Sequence, residues 1–455
     1  MKTDTIAAIA TGMSNSGIGI VRISGDDALQ VISRIYRNKK GEPKNLSQVK
    51  SHTIHYGYIY DGEERLDEVL VMIMKGPNSY TAEDTVEIDC HGGVFIVKKI
   101  LETVIRNGAR TAEPGEFTKR AFLNGRIDLA QAEAVADVIQ STNEYALKSS
   151  VSQLAGSVSR KIRELREKIL YEIAFIESAL DDPEHISLER LLAALEPMVK
   201  QVERLLASCD DGRVMSEGIK TVILGKPNAG KSSLMNVLLG EERAIVTEIA
   251  GTTRDTLEEH IYLKGISLNV VDTAGIRDTE DIVEKIGVER AIKAAEDADL
   301  IIYVVDGSRA LDENDKEIME FIRGRRAIVL LNKTDLKLAV DKDELENACG
   351  HAVIPISAKE EQGIEALEEE IKRLFYHGKI SFNEQVYITN VRHKEALEQT
   401  LDSLKMVKQS VSDGMPEDFY SIDLMNAYEQ LGKILGEAVE DDLVNEIFSK
   451  FCMGK

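Results

Sequence analysis

Lys220-Thr221-Val222-Ile223-Leu224-Gly225-Lys226-Pro227-Asn228-Ala229-Gly230-Lys231-Ser232 decides the class of the central part of this chain. Its first five residues form a short β-branched, apolar run, which predicts a buried strand. The rest is the Gly-x-x-x-x-Gly-Lys-Ser pattern, in the strand-before, helix-after context that a phosphate-binding loop requires. Glycines let backbone N–H groups turn inward around phosphates, and the N-terminus of the next helix adds positive potential. Lys231 is expected to reach the β- and γ-phosphates. Ala229, Gly230 and Ser233 should complete the phosphate cradle, and the Ser232 hydroxyl should take Mg²⁺.

Further motifs follow in order. Asp272-Thr273-Ala274-Gly275 comes after the apolar run Leu268–Val271, where a magnesium-sensing Asp and a γ-phosphate-sensing Gly belong. Asn332-Lys333-Thr334-Asp335 follows Ala327–Leu331, and Ser357-Ala358-Lys359 follows Val353–Ile356 and should close over the base. The Asp335 carboxylate can accept from N1–H and the 2-amino group of guanine; adenine lacks both donors, so the site selects GTP. Gly251-Thr252-Thr253-Arg254-Asp255 supplies a switch threonine. The set predicts a Ras-like P-loop G domain.

Two residues depart from the Ras-like pattern. Ile276 stands where a glutamine would orient the attacking water, so another group must do that work. Glu280, Asp281 and Glu284 are candidates, with Arg277 as a charge stabiliser. Asn228 reads either as a turn residue or as an oxygen ligand for a monovalent cation beside the phosphates.

Outward from this block the pattern changes. Residues 1–118 read as mixed α/β, with strand-like runs at Gly19–Ile23, Thr53–Tyr60, Glu68–Met74 and Thr85–Asp89. A helix is expected after His91-Gly92-Gly93, carrying Val94, Val97, Ile100, Leu101 and Val104. From about Leu129 the chain turns helical: Ile162, Leu165, Ile169, Ile173, Ile176 and Leu180 recur at spacings of 3, 4, 4, 3 and 4. A second helix should run from Leu188 to about Ser208. Helical periodicity returns in Leu397, Leu401, Leu404, Val407 and Val411, and again from Leu424 to Phe451. The expected fold is multidomain: an α+β domain over 1–118, an all-α domain made of 119–215 and 378–455, and an α/β G domain inserted at 216–377.

The 455 residues are 43% hydrophobic and 30% charged, ordinary for a folded soluble protein. No uncharged apolar run nears the ~18 residues that span a bilayer, and the start lacks a signal-peptide pattern, so a cytoplasmic protein is expected. Cys90, Cys209, Cys349 and Cys452 lie far apart, which argues against disulfides and a structural zinc site. The net charge of −23 argues against a nucleic-acid partner at first sight. The charge is uneven, however: Arg160, Lys161, Arg163, Arg166 and Lys168 face only Glu164 and Glu167 between residues 155 and 170. That stretch is either a solvated helix face or a local patch for RNA.

The whole chain resembles the tRNA-modification GTPases of the MnmE (TrmE) family. The likeness is carried by Gly19-Ile20-Val21-Arg22-Ile23-Ser24-Gly25, by Gly76-Pro77-Asn78-Ser79-Tyr80-Thr81-Ala82-Glu83-Asp84 and by His91-Gly92-Gly93. It continues through Pro114-Gly115-Glu116-Phe117, Arg120-Ala121-Phe122-Leu123-Asn124-Gly125 and Asp128-Leu129-Ala130-Gln131-Ala132-Glu133 to Phe451-Cys452-Met453-Gly454-Lys455. The resemblance implies an N-terminal domain that dimerises and binds 5-formyl- or 5,10-methylene-tetrahydrofolate through Arg22, Glu87, Arg126 and Lys455. It implies a homodimer that works with an FAD-dependent partner, in a heterotetramer, on carbon 5 of the tRNA wobble uridine, position 34, adding an aminomethyl or carboxymethylaminomethyl group. It implies potassium-activated hydrolysis, with K⁺ held by Asn228, Thr247, Ile249 and Thr252, and Mg²⁺ by Ser232 and Thr253. Glu284 would orient the attacking water. Cys452 reads either as a core thiol or as a participant in modification. The family often has Lys where this chain has Arg126, which keeps the charge and alters the geometry.

A GTP-switched ribosome-assembly protein is the competing function. It calls for an RNA-binding module after the G domain, and no Gly-x-x-Gly loop in such a setting occurs there.

Overall fold

The computed structural model describes residues 4–179, 188–240, 258–263, 266–271, 295–376, 387–437, 439 and 441–454. They divide into two compact units, one of residues 1–140, 150–199 and 396–455, the other of 141–149 and 200–395.

In the first unit, seven strands among the described residues form one sheet: β1 (Ile6–Ile9), β2 (Ile18–Ser24), β3 (Tyr36–Asn38), β4 (Thr53–Asp61), β5 (Glu64–Met74), β6 (Thr85–His91) and β7 (Arg110–Thr111). Their order is β3-β4-β5-β6-β2-β1-β7. Alternation sorts the two faces. Val21, Ile23, Val71, Ile73 and Ile88 turn into a core with Val31 and Ile32 of the helix Ala28–Ile35 and Val97, Ile100 and Val104 of the helix Val94–Arg106. The opposite face keeps Ile54 61%, Tyr56 45% and Leu70 43% exposed. Cross-strand register sets Ile54 against Met72, Met72 against Glu87, and Glu87 against Arg22. The apolar edge of this face thus leads straight to its charged pair.

The helical part of this unit follows the expected periodicity. The helix Ser157–Ala179 buries Ile162, Leu165, Ile169, Ile173 and Ile176, each contributing roughly 1.5–3 kcal/mol of transfer free energy. Leu180 lies outside the described residues. The helices Val391–Ser412, Glu417–Leu435 and Asp441–Ser449 account for the C-terminal periodicity. One helix is longer than expected: it begins at Leu188 and continues past Ser208 to Glu217. A glycine inside a helix costs only about 1 kcal/mol, so Gly212 weakens this helix without ending it.

In the second unit, six strands among the described residues are β8 (Ile219–Leu224), β9 (Glu258–Leu263), β10 (Ile266–Val271), β11 (Leu300–Asp306), β12 (Ala327–Asn332) and β13 (Val353–Pro355). The order is β13-β12-β11-β8-β10-β9, with β9 antiparallel and the rest parallel. Both faces are buried: Ile219 and Ile223 enter one core, Val222 and Leu224 the other. That explains why β8 reads as an unbroken apolar run rather than an alternating one. β8 sits between β10 and β11, where the strand order reverses, and ligands of such sheets bind beyond the carboxyl ends of the strands at that point.

Candidate functional site

The loop after β8 lies at that reversal and leads into the helix Lys231–Gly240. Its backbone is set by three positive φ angles, 150° at Gly225, 61° at Asn228 and 102° at Gly230. A Cβ on Gly230 would sit 2.1 Å from Asn332 Nδ2, so only glycine fits there. The Lys231 ammonium donates to the carbonyls of Gly225 (2.6 Å) and Lys226 (2.9 Å), and burial lowers its pKa. Ser232 and Ser233 open the helix on its exposed side.

Asn332, the last residue of β12, joins three of the motifs. Its Nδ2 donates to Ala229 O (2.8 Å), and its Oδ1 accepts from Ala358 N–H (3.1 Å). It is 2% exposed, so its amide serves as an internal brace. Asp335 is exposed, and one of its oxygens accepts from Ser357 Oγ (2.8 Å). That bond orients the carboxylate and leaves its other oxygen facing out. Thr334 bonds the Ile356 carbonyl through N–H and Oγ1, tying the two base-side loops together. Lys333 takes φ 67° and pairs through Nζ with Asp306 Oδ2 at 2.6 Å. Burial opposes the charge on Asp306, but hydrogen bonds from Lys333 and Ser308 outweigh it and hold the carboxyl below its usual range. Lys359 is exposed.

Asn228, Ala229, Gly230, Lys231, Ser232, Ser233, Asn332, Lys333, Asp335, Ser357 and Ala358 therefore gather at the carboxyl ends of β8 and β12 and beside β13. Thr247, Ile249, Gly251, Thr252, Thr253, Asp272, Thr273, Ala274, Gly275 and Glu284 lie outside the described residues, as does Ile276. Asp306, at the end of β11, carried no sequence signal, because its partner Lys333 is 27 residues away.

A second polar cluster lies on the sheet of the first unit. Arg22 Nε pairs with Glu87 Oε1 at 2.8 Å, as direct cross-strand neighbours on β2 and β6. The Arg22 guanidinium lies 5.0 Å from the Tyr80 ring centre and 5.6 Å from that of Phe117. Arg126 stacks on Tyr80 at 4.7 Å, so one aromatic ring serves two cations. Arg22 Nη1 also donates to Gly454 O at 3.0 Å. Gly454 has φ 85°, and a Cβ there would meet Ile9 O at 2.3 Å. Lys455 lies outside the described residues. Close by on the same face, Asp89 Oδ1 is buried without a hydrogen-bond partner; burial and neighbouring Glu87 push this carboxyl up.

Cys90, Cys209 and Cys349 are buried and outside any disulfide, and Cys452 is exposed, with its carbonyl accepting from Gly115 N–H. Among the described residues no helix is long and apolar enough to cross a membrane, and no group of three His, Cys, Asp or Glu could hold a metal.

The family model described as MnmE helical domain matches residues 129–452, and that described as GTP-binding protein TrmE N-terminus matches 5–126. The tRNA modification GTPase MnmE of Lachnoclostridium phytofermentans is 58% identical over 459 residues, covering 100% of both chains. The protein so named in Alkaliphilus metalliredigens is 49% identical, with 99% of each chain covered. Among solved structures, the G domain of the T. maritima FeoB iron transporter aligns at 30% identity over 34% of this chain and 96% of that one, with a TM-score of 0.26. A relation that runs the full length of both chains, through the sheet cluster as well as the phosphate loop, leaves one placement: the chain belongs to the MnmE family of tRNA modification GTPases.

Proposed function

We propose that this GTPase couples potassium-activated hydrolysis to the addition of an aminomethyl or carboxymethylaminomethyl group to carbon 5 of the wobble uridine, position 34, of certain tRNAs. It acts in the cytoplasm as a homodimer with an FAD-dependent partner protein. The observation that carries this reading is the second site: Arg22 and Arg126 flank Tyr80 beside Glu87. Guanidinium groups suit the glutamyl carboxylate of a tetrahydrofolate, and the aromatic rings suit its flat pterin. A GTP switch alone needs no such site; a one-carbon transfer does. Lys455 would add a further cation there. The exposed face around Ile54, Tyr56 and Leu70 supports dimerisation of segment 1–118, the domain proposed beside the helical 119–215 with 378–455 and the inserted 216–377.

At the nucleotide, Asp335 would read guanine, and Lys231 and the loop N–H groups would hold the phosphates. Ser232, exposed at the first turn of its helix, fits Mg²⁺, with Thr253 as the second protein ligand. Asn228 is exposed in its left-handed turn and fits an oxygen ligand for K⁺, together with carbonyls of Thr247, Ile249 and Thr252. The charge between β- and γ-phosphates, met elsewhere by an arginine finger, would be met by that cation. Glu284 would orient the water in place of the missing glutamine. The test is mass spectrometry of tRNA nucleosides from cells lacking this protein. Loss of the wobble-uridine modification is expected; an unchanged modification profile overturns the reading.

A further inference from the structure

Lys226, the second residue of the phosphate loop, carries a side chain that points away from the expected triphosphate chemistry. Its ammonium lies 2.5 Å from Asp312 Oδ2 and 2.5 Å from Asp315 Oδ2. These two acids form the capping box of the helix Glu313–Ile322, in which Asp312 accepts from Asn314 and Asp315 N–H while Asp315 Oδ2 accepts from Asp312 N–H. Asp315 is buried, and its other oxygen accepts from the hydroxyl of Tyr303, itself fully buried in β11. The anchor therefore reaches from the middle of the sheet to the loop.

The backbone of the same residue faces the site. Lys226 O accepts from Ala229 N–H at 3.2 Å, closing a four-residue turn over Pro227 and Asn228. Proline second and a positive φ third, 61° at Asn228, are the marks of a type II turn. The same carbonyl accepts from Lys231 Nζ at 2.9 Å. Side chain and main chain of one residue are thus tied to different things: the ammonium to a rigid helix end, the carbonyl to the turn that presents Asn228 and to the phosphate-binding lysine.

We infer that Lys226 is a positioning residue for hydrolysis, whose clamp between Asp312 and Asp315 fixes the turn that aims Asn228 and Lys231 at the triphosphate. Burial opposes the Lys226 charge, and the two carboxylates outweigh that and raise its pKa, so the clamp holds throughout the physiological range. Without Lys226 the buried Asp315 would keep its hydrogen bonds from Tyr303 and Asp312 N–H but lose its counter-charge, so the acids and the lysine act as one unit. The inference rests on the reading of Asn228 as a cation ligand.

The test uses the full chain and the variants Lys226→Met, Lys226→Arg and Asp315→Asn, with GTP hydrolysis followed while KCl is titrated and GDP affinity measured in parallel. Lys226→Met is expected to lower kcat by about tenfold, less than the hundredfold an ångström-scale misplacement can cost. It should raise the potassium concentration for half-maximal rate while GDP affinity stays within about threefold. Lys226→Arg should restore both values, and adding Asp315→Asn to Lys226→Met should cost little more. An unchanged kcat and potassium midpoint in folded Lys226→Met overturns the inference. So does a loss that Arg does not restore and that follows melting temperature and GDP affinity downward together. Should Lys226→Met fail to fold, Asp315→Asn is read by the same criteria. If Asn228→Ala in the parent leaves the potassium preference intact, the cation reading falls separately, and Lys226 stands or falls on kcat and its rescue by Arg.

Discussion

At the nucleotide loop, the groups presented to a ligand are largely main chain, held by an internal brace. On the sheet of the first unit they are side chains, held by one another. Asn332 bonds Ala229 and Ala358 and is itself buried, so one uncharged side chain ties the phosphate loop to the base-side loop. Arg22 instead depends on Glu87, Tyr80, Phe117 and the Gly454 carbonyl together. A site of backbone and glycine is sensitive to substitution mainly where a glycine is required or a side chain reaches the ligand, whereas a site of paired charges loses its geometry when any partner goes.

That contrast can be broken by experiment. The largest effect should come from Lys231→Ala, which removes the charged side chain proposed to hold the phosphates. Single-turnover hydrolysis should fall by at least about a hundredfold, with the melting temperature little changed; an equal loss of stability would mean the loop is not self-supporting. Next, Asp335→Asn should weaken GTP by roughly ten- to hundredfold, the worth of a charge-assisted hydrogen bond, and improve xanthosine triphosphate, whose new carbonyl accepts from the amide. Unchanged GTP affinity on titration would remove Asp335 from the base site. Arg22→Ala should weaken tetrahydrofolate binding by about tenfold, since it removes one of several cations and leaves Glu87 unpaired; calorimetry giving equal affinities would dissolve the sheet site.

The smallest effect concerns pH. His91, at the end of β6, pairs with Asp67 at 2.7 Å, and that hydrogen bond raises its pKa. A folded value above the unfolded 6.5 means the pair's contribution is fully present below pH 6.5 and is lost as pH rises through the folded value. The pair's own contribution should therefore fall between pH 6 and 8.5, and His91→Gln should make the melting temperature slightly less dependent on pH in that range. A steeper slope in the variant would contradict the pairing.

The same contrast explains what could be read in advance. Gly225–Ser232 and Asn332–Asp335 are contiguous, each following its own apolar run, so local order alone pointed to strand, loop and helix. The sheet β1–β7 was legible at Thr53–Tyr60 and Thr85–Asp89, where strands are long, but not at the four-residue β1 or the two-residue β7. Lys226 with Asp312 and Asp315, and Lys333 with Asp306, pair across different strands and helices, and such pairs leave no spacing in the chain. Tyr80 was visible only as part of a resemblance; that its ring serves both Arg22 and Arg126 is a product of folding.

The hydrogen bond from Arg22 to Gly454 spans 432 residues. A ribosome moving at about 5–20 residues per second needs roughly 20 to 90 seconds to travel between those two codons. For that interval the N-terminal sheet can assemble its strands, yet Arg22 must wait for its last partner. A chain cut between Thr111 and Gly454 keeps every strand residue of the sheet, while its Arg22 lacks that bond. A long-range contact of this kind makes the second site depend on residues made hundreds of codons after its own sheet.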